Sequence, residues 1–570
     1  MKHLIATALF TVGSLALSQM GPRRLMDPAA KKGPDAERNN DNVKQYWFET
    51  YTDHFDSKGK SDKFKMRYLV NEQYWDPETG PILFYAGNEG DVFSFYDNSG
   101  FMTETVAQET KGLIVFGEHR YFGQSYPFEP SVAFTPEHNV YLTVEQVMKD
   151  YADLVGHIRE SYNMTDKACV VFGGSYGGML AAWIRMKYPH VFQGSLAASA
   201  PFLEFKNAPS APEDLYGEIC TTDFREQLDK SPELIRESFE ALVAADDKTT
   251  FDEISDIFNT CTQIQNTTEI NFLYQHLMNG YQYMAMTNYP YPASFLEPMP
   301  AWPINEAVKP WTDIPTATEW EQAQSKAHSK TQSSVLPTEG LVWALIRSTL
   351  GFLGVGEERA HTMLSTFLPR NLTPVDINKK SEKKLQAAAE GLSDRNKQLL
   401  EALQASTSVY FNYTGAYPCT NLSDWEGTGS LDGYGWNVLA CNQLAMPISF
   451  NDKSMFIPQT FDYDAYTKEC QKVFGLTPDY EWALRFFGGY DIDRDFLGDS
   501  NTIFSNGQFD PWRAGGLNKN VTADSSGIAL YIEGGAHHLD LRPPNAADPA
   551  TVTEARNVEM ANIKKWIAEY

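Results

Sequence analysis

The sharpest chemical signal in this 570-residue chain is the run Gly173-Gly174-Ser175-Tyr176-Gly177-Gly178, which contains a G-x-S-x-G pattern. Its logic is steric. A nucleophilic serine lifted above a sheet sits on a strained strand-to-helix turn, and the positions two before and two after it must lack side chains for that turn to close. A chain of this length meets so short a pattern by chance roughly 0.1–0.2 times, so the weight falls on context. An apolar strand ends just before the pattern and a helix starts just after it, as the turn requires; an ordinary structural turn is the competing reading.

A serine so placed needs a base and an orienting acid, in the chain order Ser, Asp/Glu, His for this topology. Of eleven histidines, only His537 and His538 lie in the segment after the last two expected strands, where the base must sit. Asp510 precedes them in Ser505-Asn506-Gly507-Gln508-Phe509-Asp510-Pro511-Trp512. Both fall near the carboxyl end of a strand, where an open α/β sheet gathers its site. Asp540 competes with Asp510 but lies too close to His537 in the chain to orient it well.

The elements that must position these residues alternate. Ile82–Tyr85, Leu113–Phe116, Ala168–Phe172 and Gly194–Ala198 read as short buried strands. Thr143–Tyr162 reads as an amphipathic helix, with Val144, Val147, Tyr151 and Leu154 at helical spacing, and Met179–Tyr188 as a second. Such alternation predicts a mostly parallel sheet covered on both faces. Residues 206–405 break the pattern with helical segments (Pro232–Ala245, Phe272–Met286, Lys380–Ala405) and Pro- and Trp-rich loops over Tyr289–Pro315, a helical cap inserted into the fold. Strands return at Thr502–Phe504 and Ile528–Ile532, and Asp548-Pro549 is expected to cap and open a terminal helix. The sheet domain thus occupies 46–205 and 406–570.

Composition narrows the function. A formal charge of −27 with no basic patch repels phosphate backbones and argues against a nucleic-acid partner. Lys2 and His3 precede the apolar run Leu4–Leu17, which ends in Ala16-Leu17-Ser18; this predicts a signal peptide over 1–18, with a signal anchor as alternative. A polar linker or propeptide over 19–45 follows. No other segment is long and apolar enough to suggest a membrane span. Sequons at Asn163, Asn266, Asn371, Asn412, Asn421 and Asn520 suit the secretory route. Six cysteines (Cys169, Cys220, Cys261, Cys419, Cys441, Cys470) form no C-x-x-C pair, so a metal site is not expected, and Cys169 reads as a buried thiol.

Taken together, the motifs are recognisable. Asp53-His54-Phe55, Gly87-Asn88-Glu89-Gly90-Asp91, Glu118-His119-Arg120-Tyr121-Phe122-Gly123, Tyr141-Leu142-Thr143, Gly173–Leu180, Asp510-Pro511-Trp512 and Gly535–Arg542 resemble the serine peptidase family of prolylcarboxypeptidase, dipeptidyl peptidase II and thymus-specific serine protease. The likeness covers most of 46–205 and 406–570 and is weakest in the insertion. It implies an α/β-hydrolase fold with Ser175 as nucleophile, Asp510 as orienting acid and His537 as base, with His538 behind it paired to Arg542. It implies an oxyanion hole from the Tyr176 N–H and one from the Gly87–Gly90 loop (Gly87 or Asn88). It further implies a proline pocket lined by Met179, Met446 and Trp512. Bridges Cys441–Cys470 and Cys261–Cys419 are suggested, leaving Cys220 without a partner.

The expectation is a secreted, vacuolar or lysosomal serine exopeptidase cutting after proline in peptides, of dipeptidyl peptidase or Pro-Xaa carboxypeptidase type. No metal or organic cofactor is implied, and a homodimer is among the assemblies expected of such glycoproteins. A prolyl endopeptidase of the same family, a secreted esterase, and a non-catalytic binding protein on the same scaffold are the alternatives.

Overall fold

The computed structural model describes residues 42–59, 61–334, 391–422, 432–520 and 526–570. The expected signal peptide, most of the linker, the Asn371 sequon and the first part of the helix expected from Lys380 lie outside the described residues.

Strands β1 (Val43–Tyr51), β2 (Lys63–Asn71), β3 (Ile82–Ala86), β4 (Leu113–Gly117), β5 (Cys169–Gly174), β6 (Gly194–Ala198), β7 (Thr502–Gly507) and β8 (Ile528–Ile532) form one sheet in the order β1-β2-β4-β3-β5-β6-β7-β8. β1 and β2 run antiparallel to each other, β2 runs antiparallel to β4, and every pairing from β4 to β8 is parallel. This is the α/β-hydrolase arrangement. The first two strands go beyond what the sequence pattern indicates: β1 takes in residues 43–45 of the expected linker. β2 alternates Phe64, Met66, Tyr68 and Val70 with Lys63, Lys65 and Arg67.

Period-two alternation divides the sheet residues between two cores. Phe84, Val115, Val171, Ala197 and Phe504 face helices α1 (Val144–Ser161) and α2 (Tyr176–Lys187). Tyr85, Phe116, Phe172, Leu196 and Ile503 face the opposite layer, where Ile563 and Trp566 of the C-terminal helix pack. The strands β3 to β7 are therefore buried along their whole length, as continuous apolar runs demand.

Helices α3 (Leu215–Gln227), α4 (Ser231–Val243), α5 (Lys248–Ile257), α6 (Thr267–Met286) and α7 (Asp394–Phe411) share a third core with Trp311 and Tyr289. Side-chain caps start three of them: Asp247 accepts from Thr249 and Thr250 N–H, Asn266 from Glu269 N–H and Ser393 from Asn396 N–H. Helix α7 runs through residue 405, so the expected cap boundary falls inside an element. Beyond it α8 (Gly433–Ala440) and α9 (Tyr463–Phe474) return to the sheet-side core and are joined by Cys441–Cys470; Cys261–Cys419 closes the cap. Cys169 and Cys220 are buried thiols. The terminal helix α10 (Ala550–Glu569) starts one residue later than expected, with Pro549 at its cap. Asp548 is instead drawn to Arg556, whose Nη1 donates to Oδ2 at 2.6 Å.

One buried ion pair ties the antiparallel edge to the rest. Arg120 donates to both Asp150 oxygens at 2.6 and 2.8 Å, and its remaining donors reach the carbonyls of Tyr51, Thr52 and Tyr141. Thr50 Oγ1 and His54 Nε2 lie 2.8 and 2.7 Å from Asp150 Oδ1. Arg120 beside it is the main attraction that holds the Asp150 carboxyl below its ordinary range despite burial. Removing either partner strands a charge in a dry interior. Asp150→Ala is expected to cost about 3–5 kcal/mol, read as a lower urea midpoint; a loss under about 1 kcal/mol would contradict this account.

Candidate active site

The turn that carries Ser175 is as tight as the steric argument requires. Ser175 has φ 59° and ψ −127°, left-handed for a residue with a side chain, between the end of β5 and the start of α2. A Cβ on Gly173 would lie 1.9 Å from the Gly177 carbonyl oxygen, and one on Gly177 would lie 2.8 Å from that of Ala86. The Ser175 N–H donates to Ala198 O of β6 at 2.9 Å, which fixes the turn to the next strand. Helix α2 therefore begins at Tyr176, earlier than its apolar spacing indicated.

Asp510 and His537 reach this turn from the ends of β7 and β8. His537 Nδ1 lies 2.8 Å from Asp510 Oδ2, and both side chains are essentially fully buried. Asp510 Oδ1 accepts the Trp512 N–H at 3.1 Å, which orients the carboxylate. Asp540 points elsewhere and accepts the hydroxyl of Ser505. The cap holds the histidine loop from above: His537 N–H donates to Met286 O at 2.9 Å, and the Tyr289 hydroxyl to His537 O at 3.0 Å.

Ser175 and His537 line one cavity with Asn88, Glu89, Tyr176, Met179, Met446 and Trp512. The cap adds Tyr283, Met286 and Phe295, and the segment after it adds Asp432 and Trp436. Nothing local in the insertion sequence marks those residues, because they converge only when α6 folds over the sheet. Trp512 is braced by Tyr216, ring centroids 4.9 Å apart, and its indole N–H points at Met286 Sδ.

Two expectations around the triad need correction. The Gly87 N–H donates to Gly117 O at 3.1 Å, so it has no capacity to serve an oxyanion. Tyr176 N–H, at the first position of α2, has no intrahelical acceptor, and among the described residues no backbone acceptor takes the Asn88 N–H. His538 and Arg542 are not hydrogen-bonded to each other. The His538 N–H donates to Ser199 Oγ at 2.7 Å and its ring packs edge-on against Phe295. The Arg542 guanidinium stacks 4.3 Å from the Tyr289 ring and donates to the Tyr291 hydroxyl. Burial first, then the nearby His537 and Arg542, push the His538 imidazole well below its ordinary range, so it stays neutral. A further pair supports the elbow from below: His119 Nε2 lies 2.9 Å from the Tyr176 hydroxyl.

Of the candidate glycosylation sites, Asn163, Asn266, Asn421 and Asn520 are exposed and Asn412 is half-buried.

Three carboxyls are buried elsewhere in the fold. Burial pushes Glu204, Asp223 and Glu559 well above the usual carboxylate range; Asp510 adds to this at Asp223, and Asp540 at Glu559. Each keeps a proton in the folded state that the unfolded chain gives up above its ordinary value, so their support is complete at low pH and fades as pH rises. The histidines act the other way. His119, pushed by burial to about 4, and His538 cost stability only where the unfolded chain is protonated, below their ordinary value. As pH rises above the ordinary carboxylate range the support from these carboxyls is lost, so Glu559→Gln is expected to make Tm depend less steeply on rising pH than in wild type. Thermal scans in which wild type and Glu559→Gln change in parallel would contradict this.

Comparisons with known proteins give the family. The family model described as Serine carboxypeptidase S28 matches residues 50–336 and 374–559. Lysosomal Pro-X carboxypeptidase of Bos taurus is 32% identical over 512 residues, covering 89% of this chain and 85% of that protein. The Mus musculus protein of the same name is 33% identical over 529 residues, 92% and 89% of the two chains. Prolyl carboxy peptidase like protein 5 of Caenorhabditis elegans is 31% identical over 524 residues, 89% and 87%. An elbow serine, a buried Asp–His pair and an apolar cleft thus sit in a chain that belongs to the serine carboxypeptidase S28 family of serine peptidases.

Proposed function

We propose that this protein cleaves peptides on the carboxyl side of proline near a chain end, within the secretory or lysosomal route. The observation that carries the reading is the buried His537–Asp510 pair opening onto the same cavity as the strained Ser175. In this reading Ser175 Oγ attacks the carbonyl carbon of the proline itself while His537 Nε2 takes its proton. Asp510 keeps the other ring nitrogen protonated and stabilises the imidazolium. The N–H groups of Tyr176 and Asn88 receive the oxyanion. His537 then gives its proton to the departing amine as the C–N bond breaks, leaving an acyl-enzyme. Water repeats the sequence, releasing the proline-ended product and restoring the serine.

Proline suits the cavity. Met179, Met286, Met446 and Trp512 offer polarisable apolar walls, and a prolyl nitrogen has no N–H to satisfy. The compartment follows from the apolar run Leu4–Leu17, the two disulfides and the lysosomal relatives.

Mass spectrometry of products from a peptide mixture at about pH 5, with proline second, central or next to last, tests this. Wild type is expected to cut after proline, and Ser175→Ala to leave every peptide intact. Asp510→Asn is expected to lower kcat by roughly 10³–10⁴ with KM little changed, since it leaves the histidine in the wrong tautomer. Ester hydrolysis with all proline peptides intact would overturn the reading.

A further inference from the structure

Glu89 has no part in the mechanism above, yet it lines the same cavity as Ser175 and His537. Its residue is 8% exposed, and its Oε2 is buried without a hydrogen-bond partner. The chain around it leaves it no cation. Asp91, two residues on, takes Arg67, which is also bound to Glu118. The groups facing Glu89 are the Asn88 amide, the phenols of Tyr85 and Tyr176, His537, and Asp432, whose N–H donates to the Glu89 carbonyl at 2.9 Å. Among the described residues that line the cavity there is no lysine or arginine.

A cleft without a fixed cation is an unusual place to receive a free carboxylate. A carboxylic acid that keeps its proton solves this, because it presents an O–H donor to the anion with no charge of its own. We propose that Glu89, as the neutral acid, donates a hydrogen bond to the free carboxylate of the residue that follows proline, and so reads the C-terminus of the substrate. The inference rests on the proline reading and deepens it, assigning carboxypeptidase rather than dipeptidyl peptidase action. Burial raises the Glu89 carboxyl above its ordinary range, against a smaller opposing pull from its hydrogen bonds and His537. When that acid ionises at higher pH, the donor is lost and two carboxylates face each other. Recognition of the terminus is thereby confined to acid conditions, independently of the catalytic base.

The test compares N-blocked Ala-Pro-Phe with the same peptide carrying a C-terminal amide, from about pH 4.5 to 7.5, on wild type, Glu89→Gln and Glu89→Ala. The ratio of kcat/KM, free acid over amide, cancels what both substrates share, including the base and the fraction folded. For wild type the ratio is expected to fall about tenfold or more as pH rises, the weight of one charge-assisted hydrogen bond. Glu89→Gln carries an N–H donor that does not titrate, so its ratio starts below that of wild type and stays within about twofold across the range. Glu89→Ala is expected to raise KM for the free acid alone at low pH. A wild-type ratio that does not change with pH, or the same slope in Glu89→Gln, overturns the assignment. In the unblocked peptide mixture described above, release of N-terminal dipeptides without any C-terminal residue also overturns it while the proline reading stands; failure to cut any proline peptide removes that reading itself.

Discussion

The structure hangs on one strained backbone position. Ser175 occupies a conformation that a residue with a side chain ordinarily avoids, and it stays there because the turn is clamped on every side. Gly173 and Gly177 touch with no room for a Cβ, β6 takes the serine N–H, and α2 begins at the next residue. The clamp is itself held in place. His119 reaches the Tyr176 hydroxyl, and the neighbouring Arg120 is locked to Asp150 on α1 and to the carbonyls of Tyr51 and Thr52 at the end of β1. A polar network far from the cleft in sequence thus maintains the geometry that exposes one hydroxyl.

The remaining machinery is brought to that hydroxyl by strand ends. Asp510 follows β7 and His537 follows β8, at the carboxyl ends of neighbouring parallel strands, so their separation is set by strand spacing and by the two short turns. The cap closes the arrangement through backbone hydrogen bonds to the histidine loop rather than through apolar packing alone. Cap and base cannot move independently while those bonds last.

The sequence made legible what is local. The elbow, its flanking strand and helix, and the acid and base in the last two turns all carry short-range signatures of glycine, proline and apolar runs. What it hid was long-range. Whether Gly87 could donate depended on Gly117, thirty positions along the chain and on the adjacent strand. Arg542 was expected on His538 four residues away, but the cap supplies Tyr289 and Tyr291, and a guanidinium prefers those faces and a phenol to a neutral buried imidazole. Asp548 had the residue type of a helix cap, and Arg556, just under two turns into α10, captured it. β2 had its alternation in plain view, with Arg67 in phase with Lys63 and Lys65, yet the fold buries that side chain against Glu118. Glu89 stood inside a recognisable motif without a role, because only its enclosure gives it one.

The Cys261–Cys419 bridge spans 158 positions of chain. One sulfur belongs to the stretch after α5, the other to the stretch after α7, so the cap from residue 261 onward lies within one closed covalent ring. A backbone cut anywhere within that ring does not divide the molecule. The protein can be nicked there and still migrate, pack and be inherited by the next compartment as one particle, falling into two chains only when the sulfurs are reduced.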